Sequence, residues 1–307
     1  MHDSYLAFLP EDLHPDVNRR PSSSTWSWRG HDVRIERAHR RDAQVRMIVI
    51  HGAGGHAAAM WPFAALAAAR GFDVQVPDLP GYGHTRVPSS RAIRYTDWVD
   101  CVTDLVRAAK AADSRPLVLV GASVGGMVAY TAAARTGMVD ALAATCLLDP
   151  RVERVRAAVA RHPWLGRSGT RLLVPALDGL RIPMRLLANM SAISNDPRLA
   201  RLVSTDPHGG GTWMPLGFLR TYLRSDPGLE PEDFTACPVW LVHPGADRWT
   251  PLSLSRAFFD RIAAPKRLVV LDEAGHFPVE TPGIHQLANA FAEMHDQLAS
   301  GPVSAEM

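Results

Sequence analysis

An α/β fold with a mostly parallel central sheet flanked by helices follows from three features of the sequence. Short β-branched runs alternate with longer alanine- and leucine-rich segments along most of the chain. The later runs are continuously apolar, as strands buried on both faces of a parallel sheet must be. The alternation stops only between Asp149 and Asp233, where helix-like pieces and prolines replace strands, so a helical insertion interrupts the sheet domain.

In chain order the expected strands are Thr25 to Arg29, Asp32 to Glu36, Val45 to Ile50, Phe72 to Val76, Leu117 to Val120, Ala143 to Leu148, Val239 to His243 and Arg267 to Leu271. The expected helices between them are Ala57 to Arg70, Tyr95 to Ala112, Val124 to Thr136, Leu252 to Ala263 and Gly283 to Leu298. Inside the insertion, helical periodicity covers Glu153 to Arg161, Leu172 to Leu187, Asp196 to Ser204 and Leu216 to Leu223, with no good strand. The sheet domain is therefore expected over residues 1–150 and 235–307, and the insertion over 151–234. Only the first dozen residues and the final LASGPVSAEM read as loose ends.

Composition narrows the class. With 307 residues, 47% apolar and 21% charged, the chain has enough material for one large domain with an insertion and too little charge for disorder. A net charge of +2 and the lack of a long basic run argue against a nucleic-acid partner. Residues 151–234 hold 12 Arg against 8 acids, which suits a solvated charged face. Cys101, Cys146 and Cys237 lie far apart in apolar surroundings and read as buried free thiols, hence a reducing, cytoplasmic compartment. The N-terminal stretch is too short in apolar residues for a signal peptide. The uncharged windows Met47 to Ala69 and Pro116 to Ala134 are long enough to span a bilayer, but their glycines, histidines and proline fit strand, turn and buried helix better. No metal-ligand spacing of zinc type occurs, and no oligomeric state is implied.

Two glycine turns carry the chemistry. In the first, His51-Gly52-Ala53-Gly54-Gly55-His56 follows a strand, and Gly52, Gly54 and Ala57 match a permissive dinucleotide fingerprint with Asp78 as the ribose-binding acid. That NAD(P) dehydrogenase reading leaves the rest of the chain unexplained. In the second, Gly121-Ala122-Ser123-Val124-Gly125 lies between a strand and a helix, the pattern of a nucleophile elbow. A tight turn there presents the serine hydroxyl above the sheet, and side chains two residues either side would strike backbone. The helix beginning at Val124 aims its free amides at a developing oxyanion.

A serine needs a base, and the base needs an orienting carboxylate, so an acid and then a histidine are expected past later strand ends. Asp247 follows Val239 to His243, and His276 follows Arg267 to Leu271, so one crossover helix would leave them on adjacent parallel strands. Asp149 is a second candidate acid. His243 reads as a satisfied core histidine, and His285 and His295 as surface or packing residues of the last helix.

These motifs, with Asp78-Leu79-Pro80-Gly81-Tyr82-Gly83-His84, resemble those of the α/β-hydrolase-fold serine hydrolases, across roughly residues 25 to 150 and 235 to 300. The resemblance implies Ser123 as nucleophile, His276 as base, Asp247 as acid, and the Ala53 and Val124 amides as oxyanion hole. It also implies that the insertion is a lid and that no cofactor is required. The expected activity is hydrolysis of a small-molecule ester, and a serine nucleophile sets the chain apart from the aspartate-nucleophile epoxide hydrolases and haloalkane dehalogenases. Trp164, Leu172, Leu173, Met184, Leu186, Leu187, Met190, Trp213, Met214 and Phe218 are candidates for an acyl pocket or for packing against the sheet. A binding protein that keeps the fold without turnover is the other alternative. His208-Gly209-Gly210-Gly211 mimics an oxyanion motif but comes after the elbow, where it reads as a loop or hinge.

Overall fold

A computed structural model describes residues 2–14, 21–164, 166–167 and 173–300. Its sheet strands are β1 Ser22–Trp28, β2 His31–Ala38, β3 Val45–Ile50, β4 Phe72–Pro77, β5 Leu117–Gly121 and β6 Ala141–Ala144, then β9 Val239–Pro244 and β10 Lys266–Leu271. The intervening β7 Arg181–Pro183 and β8 Trp213–Pro215 form a separate two-stranded sheet within the insertion. The main sheet runs β1-β2-β4-β3-β5-β6-β9-β10. The β1–β2 and β2–β4 pairs are antiparallel, and every pair from β4 to β10 is parallel.

The helices are α1 His2–Leu6, α2 Ala57–Ala69, α3 Tyr95–Ala112, α4 Val124–Thr136 and α5 Glu153–Val159. Helices Pro197–Thr205 and Leu216–Leu223 belong to the insertion, and Leu252–Phe259 and Gly283–Ala299 to the sheet domain. The chain leaves β3 through α2 toward β4 and leaves β5 through α4 toward β6, in opposite directions along the sheet. Right-handed crossovers then put α2 and α4 on opposite faces and open a crevice beyond the C-terminal ends of β3 and β5.

The uncharged windows are explained by burial within the protein. Twelve of the thirteen residues of α2 are buried, because α1 and the C-terminal helix cover its outer side. Among the described residues no helix is long and apolar enough to cross a membrane.

Four expectations need correction, the first being that the insertion has no good strand, since it carries β7 and β8. The strand expected at Ala143 to Leu148 ends at Ala144. Cys146, Leu147 and Leu148 are fully buried without a ladder, so apolarity there reports burial and not pairing. The helix expected at Leu172 to Leu187 is instead a 3₁₀ turn Pro175–Leu177, strand β7 and a single helical turn Met184–Leu187. Pro175 and Pro183 each lack the amide that a continuous helix would bond, and Leu172 lies outside the described residues. Nor is the N-terminus loose: Tyr5 of α1 is fully buried.

Candidate active site

Ser123 sits at φ 53° and ψ −125°, a strained conformation between β5 and α4. A Cβ on Gly121 would lie 2.4 Å from the Gly125 carbonyl oxygen, and one on Gly125 would lie 2.6 Å from that of Ile50. Both contacts are below any real Cβ distance, so the flanking glycines are steric requirements of the turn. The Ser123 amide donates to Thr145 Oγ1 at 2.9 Å, which ties the elbow to the segment leaving β6.

Parallel pairing of β9 with β10 brings Asp247 and His276 together as expected. His276 Nδ1 lies 2.8 Å from Asp247 Oδ2, and both side chains are almost completely buried. The other carboxylate oxygen, Oδ1, accepts from the Trp249 and Thr250 amides, each at 2.8 Å. Thr250 Oγ1 donates to Asp247 Oδ2 and also lies 3.1 Å from His276 Nδ1. Burial pulls the Asp247 carboxyl upward, but hydrogen bonds from His276 and Thr250 hold it well below the ordinary carboxylate range. Among the described residues the buried His276 Nε2 has no hydrogen-bond partner and is not bonded to Ser123 Oγ. Ser123 and His276 line the same small cavity.

The alternative acid goes elsewhere. Asp149 is held by Arg151, whose Nε and Nη2 reach its carboxylate at 2.8 to 3.1 Å. His243 is fully buried between the Pro244 and Thr250 carbonyls, as expected of a core histidine. His285 pairs with Asp12, and His295 packs on Phe72.

The first glycine turn faces the elbow. A Cβ on Gly52 would stand 2.9 Å from Ser123 Cβ, and Ala53 lines both cavities that contain Ser123. Among the described residues the Ala53 and Val124 amides have no hydrogen-bond partner. His51 fixes the start of the turn: Nδ1 lies 2.8 Å from the Gly52 carbonyl and Nε2 accepts from the Leu79 amide. Burial lowers its imidazole to about 3, which keeps it neutral. The dinucleotide role of Asp78 does not fit, because its two oxygens accept from the Ala57 and His84 amides at 2.7 Å.

Two apolar cavities meet at Ser123. One of about 60 Å³ runs past the first glycine turn toward Met60, Phe63 and Phe291. The other, about 260 Å³, lies under the insertion and is lined by Leu173, Met184, Leu187, Met214 and Phe218 among others. Of the remaining pocket candidates, Met190 is buried against Gly54, whereas Trp164, Leu186 and Trp213 are exposed.

Cys146, His243 and Asp247 bring possible ligand atoms within 4.8 Å of one another. They do not suit a cation, since both Asp247 oxygens are engaged and burial pushes the Cys146 thiol up to about 12. Local sequence carries no sign of Thr145, whose hydroxyl meets Ser123 from 22 residues away, or of the contact between Thr250 and His276, 26 residues apart.

A strained serine elbow, a buried His–Asp pair and two unpartnered amides at the switch point of a parallel sheet define a hydrolase-type site. The chain belongs to the alpha/beta hydrolase family, which it matches over residues 47–289. It is 31% identical to epoxide hydrolase EphH of Mycobacterium tuberculosis over 186 residues, covering 57% of this chain and 85% of that protein. Its fold is similar to that of a soluble variant of monoglyceride lipase from Saccharomyces cerevisiae, with 15% identity, 92% and 96% coverage and a TM-score of 0.68. It is also similar to epoxide hydrolase A of Mycobacterium thermoresistibile, with 20% identity, 89% and 97% coverage and a TM-score of 0.56.

Proposed function

We propose that this chain is a serine hydrolase that cleaves carboxylic esters with an apolar acyl group through an acyl-enzyme on Ser123. The observation that carries this reading is His276: its Nδ1 is held by buried Asp247, while its buried Nε2, without a partner among the described residues, belongs to a ring that borders the cavity Ser123 also lines. In the first half-reaction Ser123 Oγ attacks the ester carbonyl carbon as its proton passes to His276 Nε2. The Ala53 and Val124 amides donate to the oxyanion, and collapse expels the alcohol with the proton from His276. Water, deprotonated by the same nitrogen, then attacks the acyl carbon and frees the acid. Asp247 keeps the imidazole in the Nδ1–H tautomer and stabilises its cation.

The 260 Å³ cavity favours an acyl group larger than acetyl, since an apolar cavity of about 150 Å³ accepts benzene. Residues 151–234 act as the lid over it. The three buried free cysteines support a reducing, cytoplasmic setting. The likeness to EphH favours epoxide opening as the competing chemistry, and Ser123 at the elbow, where the resemblance assigns aspartate to that branch, argues against it.

The test is turnover of p-nitrophenyl esters of increasing acyl length and of styrene oxide, with wild type and Ser123→Ala, alongside fluorophosphonate labelling. Ester turnover and labelling that disappear in the variant are expected. Epoxide turnover that survives Ser123→Ala would overturn the proposal, and failure to label Ser123 would favour a binding protein.

A further inference from the structure

The glycine motif of the insertion is built onto the first glycine turn. A Cβ on Gly209 would lie 2.6 Å from the Gly54 carbonyl oxygen, and one on Gly54 would lie 2.6 Å from Met190 Cε. The two loops therefore touch backbone to backbone one residue from Ala53, with Met190 filling the joint. Beside this contact lies a buried three-part polar cluster. Asp206 Oδ2 accepts from Tyr5 Oη at 2.7 Å and lies 2.9 Å from His56 Nε2. Its Oδ1 accepts from the His208 amide, while its own carbonyl accepts from the Gly209 and Gly211 amides. His56 is the residue that closes the first turn and starts α2. Tyr5 stacks on Phe277, next to His276.

We infer that Asp206, with His56 and Tyr5, is a positioning device that presses the glycine loop of the insertion onto the first glycine turn and fixes the Ala53 amide toward the oxyanion. The inference rests on the serine-hydrolase reading for its kinetic consequences. His51 holds the turn at its beginning and the Asp206 cluster holds it at its end. With both ends tied to rigid elements, the Ala53 N–H is aimed before substrate arrives, which is the condition for effective oxyanion stabilisation. The otherwise unexplained run Asp206-Pro207-His208-Gly209-Gly210-Gly211 follows from this. Asp206 anchors it, and Gly209 permits the approach to Gly54.

Because the cluster acts through Ala53, its loss must appear in the transition state. Asp206→Ala is expected to lower kcat on the preferred p-nitrophenyl ester by about 10- to 100-fold with KM changed less than about threefold, short of the 10²–10³ for a whole oxyanion donor. A trifluoromethyl ketone of the same chain should bind more weakly by the same factor, while an inert ether analogue binds as before. Asp206→Asn, which keeps an acceptor for Tyr5 and His56, should recover most of the loss. Gly209→Ala should reproduce the kcat defect from the other side of the contact. Amide hydrogen exchange across residues 52–57 reads the same positioning without substrate, and Asp206→Ala should accelerate it.

A lower melting temperature with unchanged kcat and unchanged exchange at 52–57 would make the cluster merely structural and overturn the inference. A rise confined to KM would do the same, since it would assign the cluster to substrate entry. If the wild type neither turns over esters nor labels at Ser123, the serine-hydrolase reading fails. The exchange measurement still decides whether Asp206 holds the turn.

Discussion

The two walls of the crevice are specified in different ways. On the sheet side the information is local: Gly121, Ser123 and Gly125 form their turn because any other flanking residues would strike the Gly125 or Ile50 carbonyl. On the insertion side it is distributed. Asp206 finds Tyr5 and His56 across 201 and 150 residues of sequence, Asn195 donates to the Ala246 carbonyl, and Phe277 donates its amide to Ile193. On the proposed reading the sheet supplies reactive groups and the insertion supplies constraint, so damage to each should differ in kind.

The largest effects belong to the sheet side. Ser123→Ala and Asp247→Asn should each cost about 10⁴-fold or more in kcat, because the proposed triad of Ser123, His276 and Asp247 would work as a unit. Asp149→Asn should leave kcat within about twofold, since Asp149 is already bound by Arg151. Steady-state kinetics on one ester compares the three. A large loss in Asp149→Asn with a small one in Asp247→Asn would exchange their roles.

Next comes the proposed oxyanion donor. Ala53→Pro removes one N–H and should cost about 10²–10³ in kcat, whereas Ala53→Ser keeps the amide and should stay within a few-fold. Equal behaviour of the two variants would move the donor to another amide of the turn.

Legibility in the sequence follows the same division. The elbow, Asp247 and His276 each lie just past a strand end, where periodicity changes within a few residues, and β3, α3 and α4 occupy the ranges that periodicity indicates. The insertion carries no such local mark. Leucines and methionines between 172 and 187 have helical spacing, yet Pro175 and Pro183 divide them into a turn, a strand and a further turn. Tyr5 is hidden in the sequence for a related reason: one aromatic residue in a short segment has no period, and its place comes from α2, Asp206 and Phe277.

Steric specification predicts a stability effect on the sheet side. Gly125→Ala puts a methyl 2.6 and 2.7 Å from the Ile50 and His51 carbonyl oxygens, which belong to β3 and its end and cannot swing aside. Destabilisation of about 3 kcal/mol or more is expected, at the upper end of overpacking costs, and is measurable by urea unfolding. A loss below about 1 kcal/mol would mean that the elbow is softer than its geometry.

Acid stability joins the two walls. Hydrogen bonds depress the Asp206 and Asp247 carboxyls below the ordinary value of 3.8 despite the opposing effect of burial. A depressed folded-state pKa stabilises the fold fully above the unfolded value. That stabilisation is lost as pH falls below about 4 toward the folded-state values. Unfolding free energy should therefore drop steeply below pH 4. Asp206→Asn should be less stable at pH 7 by about 1–3 kcal/mol and show a shallower acid slope. An unchanged slope would remove Asp206 from the acid response.

The smallest expected effect concerns which cavity would take the acyl chain of the proposed ester substrate. Of the two cavities at Ser123, Leu187 lines the 260 Å³ one under the insertion and not the 60 Å³ one, so Leu187→Trp would fill part of the former without approaching Ser123 through the latter. One methylene in an apolar pocket is worth about 1–3 kcal/mol at most. The variant should therefore lose about 10-fold in kcat/KM on the longest p-nitrophenyl esters and almost nothing on acetate, moving the optimum to shorter chains. The leaving group is constant through the series, so a shift in that optimum reports the acyl side alone. An unmoved optimum with poorer turnover of esters of bulky alcohols would reverse the assignment: the insertion would then cover the alcohol, and the acyl chain would enter the narrower cavity beside Met60 and Phe63.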